Sequence, residues 1–251
     1  MPLLRRLLLL PLLALIALPA AAQQQNAAPF TPEQKAAIEK LVRDVLISNP
    51  EILVDAMRAL EAKQQTQAAE AGRAAIAANA KELLNDGHSF VAGNPKGDVT
   101  IVEFFDYRCG YCKQVHPSLQ ALLKEDGKIR LVLKELPVLG PESIAASRAA
   151  VAALEQDKGG KYYAFHNAMM GHRGQLSEAE IFRIAEQAGL DIKKLKADMA
   201  LPKVEQALRS NLALADKLGI QGTPGFVIGN ELVPGAIPLE TMRQLVKQAR
   251  G

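Results

Sequence analysis

Cys109 and Cys112 are the only two cysteines among 251 residues, separated by Gly110 and Tyr111. A disulfide between such near neighbours closes a loop too short to restrict the unfolded chain, so it would contribute little stability. The pair is suited instead to thiol–disulfide exchange, in which a thiolate attacks a sulfur of another disulfide. A free cysteine is only a few per cent ionised at neutral pH, so the nucleophile needs activation. Cys109 directly follows an apolar strand-like run and a turn, which places it at the start of the next helix. There, unpaired backbone N–H groups and the helix dipole favour a negative sulfur. A lowering of about three pKa units corresponds to roughly 4 kcal/mol in favour of the thiolate. Cys112, three residues on and on the same helix face, is then the more buried, resolving thiol.

Three further features belong to the same chemistry. Glu103 is a charge inside the apolar run Thr100-Ile101-Val102-Glu103-Phe104-Phe105. Burial would raise its pKa, allowing it to exchange a proton with Cys112. Pro117 falls inside the expected active-site helix, where it removes an N–H and bends the path. Thr223-Pro224 precedes a buried strand, and a cis bond there would open the Thr223 backbone to an extended substrate. Gly110, Tyr111, Thr223 and Pro224 are therefore the expected substrate-contacting positions. No metal is expected. A zinc site would need a second C-x-x-C or a pair of histidines at ligand spacing, and the sequence has neither. His116, four residues after Cys112, could assist a soft ion such as Cu(I), but reads more simply as a surface helix residue. His88, His166 and His172 carry no motif.

The chain must position these groups. At the N-terminus, Arg5-Arg6, the apolar run Leu7–Ala17 and Ala20-Ala21-Ala22 read as a cleaved signal peptide over residues 1–22, too short and proline-broken for an anchor. Export to the periplasm follows as the expected localisation. Arg5 and Arg6 supply two of the +3 formal charges, so no nucleic-acid partner is implied. Thr31, Pro32 and Gln34 announce a capped helix, with Ile38, Leu41, Val42 and Val45 at helical spacing. Asn49-Pro50 breaks it, and a second stripe follows at Ile52, Leu53, Ala56, Met57 and Leu60. Two such short amphipathic helices cannot hide their stripes alone and must pack on the main domain or on copies of themselves; the polar spacer that follows favours self-association through residues 30–62 over docking. Residues 63–85, rich in Ala, Gln and Glu, read as a helical or flexible linker.

From residue 86 to 251 the pattern is strand, strand, helix, strand, then helices over about 141–218, then strand, strand, helix. Ser177 with Glu180 reads as a second capping box, and Asp191 and Pro202 open later helices. That order is an α/β thioredoxin fold with a helical insertion.

The segments VEFFDYRCGYC, KELPVLG and GTPGFVIGNELVPGAIPLE together resemble the DsbA-like periplasmic thiol–disulfide oxidoreductases over roughly Ser89–Arg250. The resemblance implies Cys109 as nucleophile, Cys112 as resolving thiol, Glu103 as the buried strand carboxylate and Thr223-Pro224 as the cis-proline loop. The chain departs from DsbA in having Gly-Tyr for Pro-His between the cysteines, Thr for Val before the proline, and a helical N-terminal extension. Gly-Tyr and Thr-Pro are similar to the isomerase DsbC, whose dimerisation module is β-rich. The F-T-P-E-Q start and S-N-P-E break resemble the ScsC (suppressor of copper sensitivity C) proteins.

The expected function is therefore disulfide isomerase or reductase on misfolded or thiol-containing periplasmic proteins. By resemblance, a membrane thiol reductant of the DsbD or ScsB type keeps it reduced, and it assembles as a trimer or a dimer. The redox-active disulfide Cys109–Cys112 is its only expected redox group. The alternatives are a DsbA-like dithiol oxidase and a periplasmic copper-binding or copper-tolerance protein.

Overall fold

The computed structural model describes residues 30–158 and 160–251. The signal-peptide reading of residues 1–22 lies outside the described residues. The chain divides into two compact units between Arg58 and Ala59.

In the first unit, Thr31 caps helix α1 (Pro32–Ser48) with the reciprocal bonds of a capping box: its Oγ1 accepts from Gln34 N at 3.2 Å, and Gln34 Oε1 accepts from Thr31 N at 3.0 Å. Asn49 closes α1, its side chain and backbone both donating to Val45 O. Helix α2 (Glu51–Ala78) begins after Pro50 and runs unbroken through the Ala- and Gln-rich stretch. No residue of α1 is buried, and Ile38, Leu41, Val42, Val45, Ile52, Leu53 and Met57 are exposed.

The second unit is built on five strands: β1 (Phe90–Gly93), β2 (Val99–Phe105), β3 (Ile129–Glu135), β4 (Gly225–Ile228) and β5 (Glu231–Pro234). Their order in the sheet is β1-β3-β2-β4-β5, with β2 and β3 parallel and every other pairing antiparallel. The parallel pair needs a crossover, supplied by α4 (Gly110–Asp126), which ends on left-handed Gly127. A short helix, α3 (Ala80–Leu84), precedes β1, and α10 (Leu239–Arg250) ends the chain.

Between β3 and β4 lie α5 (Pro141–Ala153), α6 (Lys161–Gly171), α7 (Glu178–Gln187), α8 (Ile192–Asp198) and α9 (Pro202–Leu218). Asp191 caps α8 as its type predicts. The expected capping box of α7 forms only by half. Ser177 Oγ accepts from Glu180 N, but the Glu180 carboxylate turns to Arg183, a stronger charge-assisted partner than the cap N–H. Ala146, Ala149, Ala150, Ala152 and Ala153 are buried along α5, where small side chains let neighbouring helices approach closely.

Strand alternation divides the interior in two. Ile101 and Phe105 join the core beneath α4, α10 and the insertion, while Val102 and Phe104 join the opposite core with Leu83, Leu214 and Leu218. Period-two geometry therefore puts Glu103 on the α4 side. On the opposite side Lys134, fully buried, donates to Asp86 Oδ2 (2.5 Å), Glu82 O (3.0 Å) and Ser89 Oγ (3.2 Å), tying the chain before β1 to the sheet.

Candidate active site

Cys109 is the N-cap residue of α4. Its backbone is extended (φ −69°, ψ 115°), and Sγ accepts from Cys112 N at 3.3 Å, the bond a Ser or Asp oxygen makes at an ordinary N-cap. Sγ also contacts the Thr223 carbonyl oxygen at 3.2 Å, across 114 residues of sequence. Cys109 and Cys112 are free thiols. The Cys109 thiol is lowered to about 6, chiefly by the hydrogen bond from the Cys112 thiol, with the Thr223 side chain and the N–H groups of Cys112 and Tyr111 helping against burial. Cys112 moves far the other way. Its proton is held by Cys109, and burial and the charges of Cys109 and Glu103 oppose its ionisation. One sulfur is thus anionic at neutral pH and the other keeps its proton.

Glu103 is fully buried and neither carboxylate oxygen has a hydrogen-bond partner. Burial, and secondly the Cys109 charge, raises it to about 8, so it holds a proton at neutral pH. The Thr223–Pro224 peptide is cis, Pro224 is buried, and Gly110 and Tyr111 are exposed on the first turn of α4. Cys109, Cys112, Glu103 and Thr223 therefore come together around one helix start, while Pro117 sits within α4.

Sequence reasoning missed Asp106. This buried carboxylate accepts from Arg108 N (2.7 Å), Val138 N (2.9 Å), Leu139 N (3.1 Å) and Ser143 Oγ (2.8 Å). Its backbone oxygen also accepts from Cys109 N at 3.0 Å. It ties the turn before the nucleophile to the loop between β3 and α5. An Asp two residues before a backbone N–H is a local turn signal, but its long-range partners are invisible in sequence. Asp106→Asn exchanges one accepting oxygen for a donor facing N–H groups. It is expected to cost about 1–2 kcal/mol, a fall of about 2–8 °C in Tm by calorimetry.

His116 is buried, correcting its reading as a surface residue. It lies on the same face of α4 as Cys112 and Leu119, and its ring packs 5.3 Å from that of His166 on α6. Burial lowers the pKa of both rings, that of His166 well below its ordinary value. Helical spacing was the available signal; the polar residue type concealed it. Among the described residues no three His, Cys, Asp or Glu side chains gather as a metal site.

Comparison with known proteins matches this architecture. Residues 100–247 match the DSBA-like thioredoxin domain, and residues 34–67 the copper resistance protein ScsC N-terminal domain. A thioredoxin-like oxidoreductase from Silicibacter pomeroyi is 46% identical with a TM-score of 0.65, covering 68% of this chain and 96% of its own. Proteus mirabilis ScsC in a transitional conformation is 33% identical with a TM-score of 0.66, covering 89% of this chain and 98% of its own. The thiol-disulfide exchange protein alpha-DsbA2 from Wolbachia pipientis is 30% identical with a TM-score of 0.68, covering 72% and 96%. A curated relative, a Na(+)/H(+) antiporter NhaA of Salinispora tropica, is 29% identical over 161 residues, but the chain spans only 24% of its length. With one family model spanning more than half of its residues and a second covering its N-terminal helices, the chain belongs to the DSBA-like thioredoxin-domain family of thiol–disulfide oxidoreductases, with an N-terminal region of the ScsC type.

Proposed function

We propose that the protein is an exported, periplasmic oxidoreductase that isomerises or reduces incorrect disulfides in other proteins, as an oligomer assembled through residues 30–62. The reading is carried by one observation: Cys109 is both the N-cap acceptor of α4 and the contact of the Thr223 carbonyl, with a protonated, buried Cys112 behind it.

Cys109 Sγ attacks one sulfur of a client disulfide. A mixed disulfide forms, and the other client sulfur leaves as a thiolate. That thiolate can attack elsewhere in the client and return Cys109 unchanged, which is isomerisation. Alternatively Cys112 gives its proton to the ionised fraction of Glu103, which grows as pH approaches 8, and attacks Cys109 Sγ. The Cys109–Cys112 bond then closes and the client departs with two electrons. A membrane thiol reductant of the DsbD or ScsB type would restore the dithiol. Client backbone would lie along Gly110, Tyr111, Thr223 and Pro224, beside the exposed apolar side chains of Val138 and Leu139. An unfolded client offers the apolar segments that such a surface binds.

The isomerase direction draws support from α1 and the first turns of α2. Their exposed apolar stripe needs a partner, and identical copies would supply one while gathering several dithiols around one client. Deleting residues 31–60 is expected to give a monomer by light scattering. The deletion should lower rescue of scrambled ribonuclease by about tenfold while leaving simple disulfide reduction within about twofold. Strong oxidation of reduced ribonuclease with no rescue of the scrambled form would overturn the isomerase reading in favour of an oxidase.

A further inference from the structure

The residues that flank the dithiol fasten the helical insertion to the start of α4. Arg108, directly before Cys109, donates from Nη1 to Leu139 O at 3.0 Å and pairs through Nε with Glu142 Oε2 at 3.0 Å. Glu142, in the first turn of α5, also accepts at Oε1 from the Gln175 amide at 2.7 Å. Lys113, one turn after Cys109, donates its backbone N–H to Cys109 O at 3.1 Å and its Nζ to His172 O at 2.7 Å. The connection between α6 and α7 is therefore held at His172 and at Gln175, from both sides of the dithiol. Arg173 lies between those two anchors and is exposed, as is Arg108.

This rim carries more positive charge than its carboxylates balance. Lys113 is only 8% exposed, yet Nζ meets a neutral carbonyl and, among the described residues, pairs with no carboxylate. An ammonium has three donors, so two of them remain available. The neighbouring carboxylates are engaged elsewhere: Glu142 by Arg108, and Glu180 by Arg183 and His172. Asp106 opposes the cations, but it is buried beneath the turn among its own donors. Burial first, and then the charges of Arg173 and Arg108, push the Lys113 pKa down against the pull of Asp106. Cations that crowd a rim in this way cost free energy that a neutral donor to His172 O would avoid.

We propose that Arg108, Lys113 and Arg173 form a cationic wall beside Cys109 that selects among client disulfides, favouring those flanked by aspartate or glutamate. Positive potential at the mouth of the site draws such a client in and holds its carboxylates while Sγ attacks.

This selectivity rests on the proposed role of Cys109 in disulfide exchange, and two small disulfides read it without a protein client. The reduced full-length protein is mixed at neutral pH with dithiodiglycolate, which carries two carboxylates, or with cystamine, which carries two ammonium groups. In both reactions Cys109 Sγ attacks one sulfur, the S–S bond breaks and the small thiolate leaves. The thiolate fraction of Cys109 is common to both, so changes in the ratio of the anionic to the cationic rate report the charge around the sulfur. The ratio is expected to fall at least about threefold between about 20 mM and about 1 M salt. At low salt, Arg173→Gln and Lys113→Met are each expected to lower it by about two- to threefold. Arg209→Gln removes an equal charge from the exposed face of α9 and is expected to leave the ratio unchanged. A wild-type ratio in either rim variant would overturn the proposal. So would an equal fall in Arg209→Gln, which would assign the preference to net charge. If Lys113→Met does not fold, Arg173→Gln, at an exposed position, decides the question alone. A protein that shows this preference yet exchanges no protein disulfide would refute the proposed function and leave the cationic wall standing; exchange of protein disulfides with no charge preference would do the reverse.

Discussion

Cys109→Ser is expected to abolish disulfide exchange, lowering kcat/KM by at least about 10³-fold, because a hydroxyl at an N-cap cannot become the anionic nucleophile that a thiol becomes. Cys112→Ala should behave differently. It keeps the attacking sulfur and removes the group that resolves the mixed disulfide, so covalent enzyme–client adducts should accumulate and be visible by mass spectrometry. The same change deletes the largest contribution to the low Cys109 pKa, the hydrogen bond from the Cys112 thiol. The alkylation midpoint of Cys109 should therefore rise from about 6 towards the ordinary thiol value. Equal loss of the first attack in both variants would contradict the assignment of nucleophile and resolving thiol.

Glu103→Gln is expected to stabilise the fold at high pH and to do little at low pH. The folded-state pKa of Glu103 is raised from 4.5 to about 8. A raised carboxylate pKa contributes stability that is fully present below the unfolded value and is lost as pH rises through the folded one. Near pH 9 the wild type must therefore either keep an ionised carboxylate buried without partners or open to hydrate it. Glutamine has no such requirement, and the difference is expected to be about 3–4 kcal/mol, or about 6–15 °C in Tm. At pH 5, where the folded wild type holds the proton, the two proteins should melt within about 3 °C of each other. The comparison belongs in a Cys109→Ser/Cys112→Ser background, so that thiol titration does not enter; burial, the larger cause of the shift, remains there. Equal melting temperatures at pH 9 would show that Glu103 is hydrated or partnered in solution. In the dithiol protein, Glu103→Gln should also slow closure of the Cys109–Cys112 bond more than the first attack, since only closure has to move the Cys112 proton.

These effects arise from a division of labour that is partly local and partly not. The strand Val99–Phe105, the helix that starts after Cys109 and the caps at Thr31 and Asp191 were legible because their causes lie within a few residues: an apolar, β-branched run, a helix-start acceptor, a turn before a periodic stripe. The Cys109–Cys112 spacing and the lone charge of Glu103 in an apolar run were legible for the same reason. Ser177–Glu180 shows where local reasoning stops, since an arginine on the next turn competes for the carboxylate that the cap would use.

By itself, then, the sequence determined the elements, the order of strands and helices along the chain, and the residue types able to exchange disulfides. Tertiary structure alone decided that Thr223 O lies against Cys109 Sγ, that Asp106 binds the loop at Val138 and Leu139, that His116 is covered by α6, and that the buried Glu135 accepts from Tyr162. The reason is physical. Periodicity and capping report free energies of neighbouring residues, whereas desolvation and buried hydrogen bonds depend on which distant segments exclude water from a group, and those segments are chosen by packing of the whole sheet and its insertion.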